Sequence, residues 1–252
     1  MWHPTAIHRN GNLVQPWILT VQTTAINQTF GLTLGGATVA VKIIWGDGSF
    51  NDYVTTGGKS HTFAAAGTYQ VLVSGRVTNP LGSITITTGG TRLLSTSAYQ
   101  GIEGGRPAGT FMACSNAAFT SLPNGLFKNY PDFSLFSYSG ALLGCNKLVL
   151  LPADLFSYHA GSSFTLFSNC FWLDAALTSI PPTLFDRFRI SSYPGWLVLN
   201  GCFSACAALT GPAPELWDPA QFNTGGTNHA DCFKGCTGLS NWADIPNDWK
   251  GL

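Results

Sequence analysis

The sequence has few charged side chains and no long apolar run. Only 10% of its 252 residues are Asp, Glu, Lys or Arg, and the 12 basic and 12 acidic groups cancel. An ordinary soluble domain carries about 25%. A nucleic-acid-binding protein needs clustered Lys and Arg, so the composition disfavours that class. No stretch approaches the roughly 18 apolar residues of a membrane-spanning helix. The 45% hydrophobic content argues against a disordered chain.

Targeting and catalytic motifs are also missing. The first residues, MWHPTAIHRNGNLVQPW, lack the basic and apolar regions of a secretory signal. The last residues, IPNDWKGL, hold no apolar anchor. The sequence contains no nucleophile elbow, no HExxH, no phosphate loop and no dinucleotide fingerprint, and its five histidines are scattered. We therefore expect no enzyme activity, no catalytic residues and no bound cofactor or metal.

What the sequence does have is glycine, proline and aromatic residues, in two parts of different character. The 29 Gly and 14 Pro residues indicate many turns and few long helices, which predicts a mainly β protein. Residues 1–110 carry a formal charge of +3 and residues 111–252 one of −3, and all seven cysteines lie in the second part. The stretch GIEGGRPAG at 101–109 is typical of a linker or bend. We predict one domain over residues 1–100 and another over 101–252.

The first part alternates apolar and polar residues with period 2, the pattern of strands with one buried face. Turn signals such as Gly46-Asp47-Gly48 and Asn79-Pro80 separate the runs. Several short strands at this spacing predict a β-sandwich. The alternating residues are Val39, Val41 and Ile43, then Val71 and Val73, then Ile84 and Ile86.

Three blocks in this part carry a family resemblance: Ile44–Ser49 (IWGDGS), His61–Phe63 (HTF) and Ala66–Val71 (AGTYQV). In this order they resemble the PKD domain, which implies an immunoglobulin-like sandwich over about residues 13–88. We expect Trp45 to fill the core, Asp47-Gly48 to form a tight turn, and Gly67 to allow a sharp turn into the following strand. The alternatives are a catalytic or calcium-binding role for Asp47 and a catalytic base at His61.

The second part repeats the motif F-x-x-C, with Leu replacing Phe in one copy. The Cys-to-Cys steps are 31, 25, 36 and 30 residues, and a period near 30 indicates stacked supersecondary units. The copies are Phe111–Cys114, Leu142–Cys145, Phe167–Cys170, Phe203–Cys206 and Phe233–Cys236. After each copy come a block of the L-T-S-L-P type and a Leu-aromatic pair, as in Leu177–Pro181 and Leu184-Phe185. The last copy is stretched and ends at Asp248-Trp249.

We interpret each unit as a helical turn at F-x-x-C, a short strand at L-T-S-L, and a turn that begins at proline. Asp154, Glu215 and Asp248 each follow that proline, a scaffold position at a helix start rather than a catalytic one. The pattern resembles the BspA-like leucine-rich repeat over about residues 108–252 and implies a solenoid of about five units. Segments 171–176 and 224–228 depart from it as insertions. The five Phe or Leu residues are predicted to form one buried column, with the motif cysteines beside it.

Two Cys-x3-Cys pairs, Cys202/Cys206 and Cys232/Cys236, leave three alternatives open. Four thiolates could bind zinc, although structural zinc sites favour closer pairs on tight turns. Neighbouring units could form disulfides. Because cysteine is among the most buried residue types, a reduced, buried ladder is the preferred interpretation. Seven is an odd number, so at least one thiol is free.

A PKD-like module followed by such repeats resembles an arrangement of bacteriophage and bacterial surface proteins. The resemblance implies a virion structural protein on the tail or a fibre, acting in host attachment and made in the host cytoplasm without a signal peptide. Alternatives are a capsid decoration protein, a bacterial surface adhesin, or a carbohydrate-binding accessory module. Expected partners are other virion proteins, in multiple copies, and a host-surface glycan or protein. The residues that bind it are unknown; candidate aromatics are Trp172, Tyr193, Trp196, Trp217 and Trp242.

Overall fold

A computed structural model describes most of the chain, and in that part the protein is mainly β with almost no helix. The described residues are 7–9, 12–36, 38–78, 84–89, 92–98, 100, 102–103, 118–128, 135–159, 164–193, 195–225 and 228–252. The helical elements described are a 3-10 helix at Asp186–Phe188 and the four-residue α1 at Asn247–Lys250. The strands are β1 (Ile7–Arg9), β2 (Asn12–Val14), β3 (Trp17–Thr23), β4 (Gln28–Leu34), β5 (Thr38–Ile44), β6 (Phe50–Tyr53), β7 (Gly57–Phe63), β8 (Gly67–Thr78), β9 (Ile84–Gly89), β10 (Arg92–Thr96), β11 (Ile102–Glu103), β12 (Leu135–Ser137), β13 (Phe164–Leu166) and β14 (Trp196–Val198).

The first part is built from antiparallel sheets. The larger sheet has the order β10-β3-β8-β5-β6, and β11 pairs in parallel with β8 at Gly75 and Arg76. A second sheet has the order β7-β4-β9, and β1 pairs with β2. The buried residues of the two larger sheets belong to one apolar cluster. Antiparallel strands with one buried face are what the alternating sequence requires.

Burial in these strands follows the predicted period of two. Every second residue of β3 is buried, from Trp17 to Thr23. Val39, Val41 and Ile43 are at most 2% exposed, and Val71, Val73 and Ile86 are also buried. The alternation prediction is therefore confirmed at these positions. The side chain of Ile84 lies outside the described residues.

The three PKD-like blocks come together in space. Trp45 is fully buried and its ring stacks on His61 at 5.1 Å between centroids. His61 contacts Phe63 edge-on at 4.8 Å, and Phe63 stacks on Tyr69 at 4.2 Å. His61 Nε2 lies 2.6 Å from Asp47 Oδ2. Residues from three separate blocks, with Trp45 and Tyr69 24 positions apart, thus form one aromatic cluster, and the expectation that Trp45 is a core residue is confirmed.

The Asp47 turn bonds its own backbone, as expected for a turn carboxylate. Asp47 Oδ1 accepts hydrogen bonds from the backbone N–H of Ser49 at 3.0 Å and from its hydroxyl at 2.6 Å. Gly48 has a φ of 95°, the positive value that the turn needs. Gly67 differs from expectation: it is the first residue of β8 and has no positive φ, and an added Cβ would lie 3.2 Å from the Tyr69 hydroxyl. Close packing against Tyr69 thus explains this glycine.

The predicted boundary at residues 101–109 falls between the two kinds of structure. Strand β11 extends the first sheet to Glu103. Residues 104–117, which include the first F-x-x-C copy, lie outside the described residues. The next described residue, Ala118, donates its N–H to the Leu93 carbonyl at 2.9 Å. A division into domains at this point stays a prediction.

In the second part, parallel ladders join successive units. Strands β12, β13 and β14 pair in parallel, so that Leu135, Phe164 and Trp196 are in register. These strands precede the F-x-x-C copies, whereas the strands were predicted after them. The L-T-S segments instead form a ladder of hydrogen bonds. In this ladder the N–H of Val149 donates to the Thr120 carbonyl at 2.8 Å. The N–H of Thr178 donates to the Val149 carbonyl at 3.1 Å, and that of Thr210 to the Thr178 carbonyl at 2.9 Å.

The register of one unit differs from the predicted one. The N–H of Leu142 donates to Cys170 O at 3.0 Å, that of Phe171 to Cys202 O at 2.8 Å, and that of Phe203 to Cys232 O at 2.8 Å. The partner of Leu142 and Phe203 in the array is therefore Phe171, not Phe167. Asp174, three residues on, takes the place assigned to Cys170.

The corrected register also removes the irregular steps. Asp174 lies 29 residues after Cys145 and 32 before Cys206, so the predicted insertion at 171–176 is an ordinary part of its unit. Cys170 instead aligns with Cys202 and Cys232. Each complete unit thus has two inward positions, four residues apart, that are mostly occupied by cysteine.

The F-x-x-C segments are hydrogen-bonded turns rather than helical turns. In each described copy the cysteine N–H donates to the carbonyl three residues earlier, for example Cys206 to Phe203 at 3.1 Å. A residue with positive φ precedes that cysteine, which is the conformation of a type II turn. Two such positions recur in every described unit: Gly140, Asn169, Gly201 and Asp231, with φ between 55° and 64°, and Gly144, Leu173, Ala205 and Gly235, with φ between 63° and 80°.

Stacked aromatic columns fill the inside of the array. Phe171 stacks on Phe203 at 5.0 Å and Phe203 on Phe233 at 5.7 Å, with ring planes within 10°. Tyr138 stacks in the same way on Phe167 at 5.0 Å. The prediction of one column through Phe167, Phe203 and Phe233 is therefore wrong at Phe167, which belongs to the neighbouring column because of the register difference. Phe111 lies outside the described residues.

Candidate functional site

An insertion in the last unit creates a pocket of about 390 Å³. Beside β14, Leu197 N donates to the Asn223 carbonyl at 2.9 Å and Leu199 N to the Asn228 carbonyl at 2.6 Å. Leu197 lies in β14 and Leu199 follows its last residue, so residues two apart pair with residues five apart in the next unit, whose interval is three residues longer. The pocket is lined by Ile190, Pro219, Phe222, Asn223, Thr224, Gly225 and His229.

Trp196 is an exposed aromatic residue that contacts Gly225, a residue of the pocket lining. It begins β14 and is 46% exposed, although the next residue, Leu197, is fully buried. Gly225, which lines the pocket, packs directly on the Trp196 ring, because a Cβ there would lie 1.8 Å from ring atom Cζ3. Only glycine permits this approach. The insertion therefore fixes the position of the indole at the edge of the pocket.

A hydrogen-bond network lies next to Phe222, one of the residues that line the pocket. Arg189 Nε donates to Asp186 Oδ1 at 2.8 Å, and its guanidinium lies 5.3 Å above the Phe222 ring. Arg189 also bonds to Gln221, whose Nε2 donates to Asp218 Oδ2 at 2.6 Å. This bond is the main reason that the pKa of Asp218 is lowered. In this network Arg189 is paired with the carboxylate of Asp186, and Asp218 is hydrogen-bonded to the neutral side chain of Gln221.

His229 forms the third side of the pocket. Its ring stacks on Trp249 at 4.4 Å, with the planes within 7°, and its Nε2 lies 2.6 Å from Asp248 Oδ2. The hydrogen bond from His229 lowers the pKa of Asp248. Asp248 thus belongs to the segment that pairs with the last unit. In this segment, α1, the carbonyls of Asp248 and Trp249 accept hydrogen bonds from the backbone N–H groups of Asp231 and Phe233.

The five aromatic residues suggested by the sequence have different environments. Trp196 and Trp172 are exposed, the latter by 39%. Tyr193 is buried and its hydroxyl is 2.8 Å from Thr165 Oγ1. Trp217 and Trp242 are partly buried and pack against the core. The sequence did not single out Ile190, Phe222 or Asn223, although the departure at 224–228 marked the segment that forms the pocket.

The six described cysteines are free thiols, and all of them are buried. Cys206 Sγ donates to the Phe171 carbonyl and Cys236 Sγ to the Phe203 carbonyl, each at 3.0 Å. Burial raises the pKa of Cys236 to about 12 and raises that of Cys170, Cys202, Cys206 and Cys232 as well. Neutral thiols bonded to carbonyls agree with the preferred interpretation of a reduced ladder. In the described part of the chain, no three His, Cys, Asp or Glu side chains are placed to hold a metal ion. Cys114 lies outside it.

Asp174 is a carboxyl group in this thiol ladder. It is fully buried, and neither of its oxygens forms a well-shaped hydrogen bond with the described residues. Burial raises the pKa of Asp174 to about 8, against a smaller lowering by the backbone of Cys145 and Gly144. A buried carboxyl without a partner favours the neutral form.

His159, Thr165 and Tyr193 form a cluster of buried polar side chains that joins neighbouring units. His159 Nε2 is 3.2 Å from Thr165 Oγ1, and His159, Thr165 and Tyr193 are all buried. Burial, helped by Arg187, lowers the pKa of His159 to about 4, so the imidazole is neutral at pH 7. Arg187 donates to the His159 carbonyl at 2.6 Å. The group cross-links the units and offers no accessible hydroxyl to a substrate.

Comparison with known proteins gives no relative for this chain. No family model matches it, and neither a curated protein nor a solved structure does. No helix among the described residues is long and apolar enough to cross a membrane. Function must therefore be inferred from the geometry of the site.

Proposed function

We propose that the chain is a non-enzymatic surface protein of a bacteriophage particle. In this proposal, a PKD-like, immunoglobulin-like sandwich attaches the chain to other virion proteins, in multiple copies. A leucine-rich-repeat-like solenoid then presents a binding site to the host surface. The observation that carries the binding role is the half-exposed Trp196 held at the edge of the 390 Å³ pocket.

The sandwich is supported by the meeting of the three sequence blocks. Trp45, His61 and Tyr69 come from different blocks and lie in one aromatic cluster between antiparallel strands. The solenoid is supported by parallel hydrogen bonds that recur about every 30 residues and by the aligned rings of Phe171, Phe203 and Phe233. Stacked units of this kind present extended surfaces on which loops can vary.

Mass spectrometry of gradient-purified virions tests the proposal. The phage whose genome carries this gene is grown, and its particles are separated from lysate proteins. We expect peptides of the chain to co-purify with the major capsid protein, and immunogold labelling to mark the tail. Labelling over the head would favour a capsid decoration protein. Absence of the chain from infectious particles would contradict the proposal.

A further inference from the structure

We infer that the pocket lined by Pro219, Phe222 and Gly225, next to Trp196, binds a neutral pyranose ring of an oligosaccharide. This inference rests on the proposed function in one respect, namely that the ligand belongs to a host surface. The chemistry of the site can be argued without it.

The exposed indole of Trp196 is a surface on which a sugar ring can stack. An indole that is 46% exposed, next to a fully buried neighbour, is available for stacking. The carbon face of a pyranose is apolar, and an aromatic ring can cover it while the hydroxyl groups stay at the edge. The Gly225 contact holds the Trp196 indole in place, so little side-chain entropy is lost on binding.

The size and the lining of the cavity also suit a sugar ring. A volume of about 390 Å³ lies at the lower end of the roughly 300–1,000 Å³ typical of small-molecule sites. Ile190, Pro219 and Phe222 give an apolar wall, and Thr224 adds a hydroxyl that can donate and accept. A mixed apolar and hydroxyl lining suits a sugar better than a purely apolar ligand.

The charge of the pocket lining favours a neutral ligand. Of the described residues that line the pocket, only His229 is titratable, and its Nε2 lies 2.6 Å from Asp248 Oδ2. The nearby cation Arg189 is paired with Asp186. The lining therefore offers no unpaired charge to a sulfated, phosphorylated or sialylated ligand, and we commit to a neutral one.

The test uses the full chain on a glycan array that contains both neutral and acidic oligosaccharides. The best neutral glycan is then titrated by calorimetry against wild type and variants. We expect Trp196→Ala to weaken binding about tenfold or more, since buried Trp contacts dominate such sites. Trp172→Ala is the matched control, because Trp172 is also exposed but lies in another unit of the array, and it should bind as wild type does.

Thr224→Val keeps the shape of the pocket and removes one hydroxyl, and we expect it to bind several-fold more weakly even if Trp196→Ala fails to fold. Binding that is confined to acidic glycans, or equal in wild type, Trp196→Ala and Thr224→Val, would overturn the inference. Failure to bind any glycan would overturn it as well. If the chain binds no glycan but is found in virions, the inference is wrong and the proposed function stands. If the chain binds a glycan but is absent from virions, the proposed function is wrong and the inference stands.

Discussion

Replacing Asp174 with Asn should stabilise the protein, by an amount that grows with pH. The carboxyl has a pKa of about 8 when folded and an ordinary value of 3.8. Because the folded value is raised, the folded state holds the proton over this interval while the unfolded chain loses it. The contribution of Asp174 to stability is therefore unchanged below pH 3.8, becomes less favourable as pH rises to about 8, and is constant above that.

The magnitude follows from the size of the shift. Each pH unit between the two values costs about 1.4 kcal/mol, so the ionisable group costs about 4 kcal/mol at pH 7. Asn cannot ionise, and its amide can donate a hydrogen bond, as the thiols of Cys206 and Cys236 do at the matching position. The advantage of Asp174→Asn over wild type should therefore widen by about 3 kcal/mol between pH 5 and pH 7.

Urea denaturation followed by tryptophan fluorescence at pH 5, 6, 7 and 8 measures this difference. Asp244→Asn is the control, because Asp244 is an exposed residue in the same part of the chain, and its effect on stability should be small. Thiol ionisation in the unfolded chain cancels, since all three proteins have the same cysteines. Parallel stability curves for wild type and Asp174→Asn would show that Asp174 is not a buried, neutral carboxyl.

Three further predictions concern the scaffold. Trp45→Ala should destabilise the first part by about 3–5 kcal/mol, measured by thermal melting, whereas Phe50→Ala, at an exposed position, should have little effect; equal melting of both would place Trp45 outside the core. Leu173→Gly should stabilise the chain by about 0.5–1 kcal/mol in urea, because Leu173 is exposed and has a φ of 65°; a loss of stability would mean that its side chain packs. Limited proteolysis should release a fragment of roughly 100 residues by cleavage within 101–109, and resistance of that segment would argue against two domains.

The sequence predicts the core of the first part well because the signal there is local. Alternation at Val39, Val41 and Ile43 is a period of two, and each side chain faces the core for that reason alone. The meeting of Asp47 with His61 was less evident, since it depends on the pairing of distant strands. The expected turn chemistry of Asp47-Gly48 needs only adjacent residues, and it is confirmed.

The existence of a repeat was predictable, but its register was not. Phe167–Cys170 matches the letters of the motif as well as Phe203–Cys206 does. What separates them is backbone conformation: Leu173 has a positive φ where other units have glycine or alanine, and no residue preference announces it. Asp174 in a cysteine position concealed the true unit further. The pocket could not be predicted, because it depends on how the 224–228 insertion folds.

The hydrogen bonds on either side of the insertion have a consequence for how this protein can change. The backbone N–H groups of Leu197 and Leu199 donate to the carbonyls of Asn223 and Asn228, one on each side of residues 224–227. Length and composition within that interval can therefore vary without breaking the ladder that supports the fold. If the pocket binds a glycan as proposed, substituting this one segment changes the ligand preference, while the aromatic columns continue to stabilise the fold. Swapping segment 224–227 for sequences of other lengths should accordingly change what the chain binds while leaving its unfolding midpoint nearly constant.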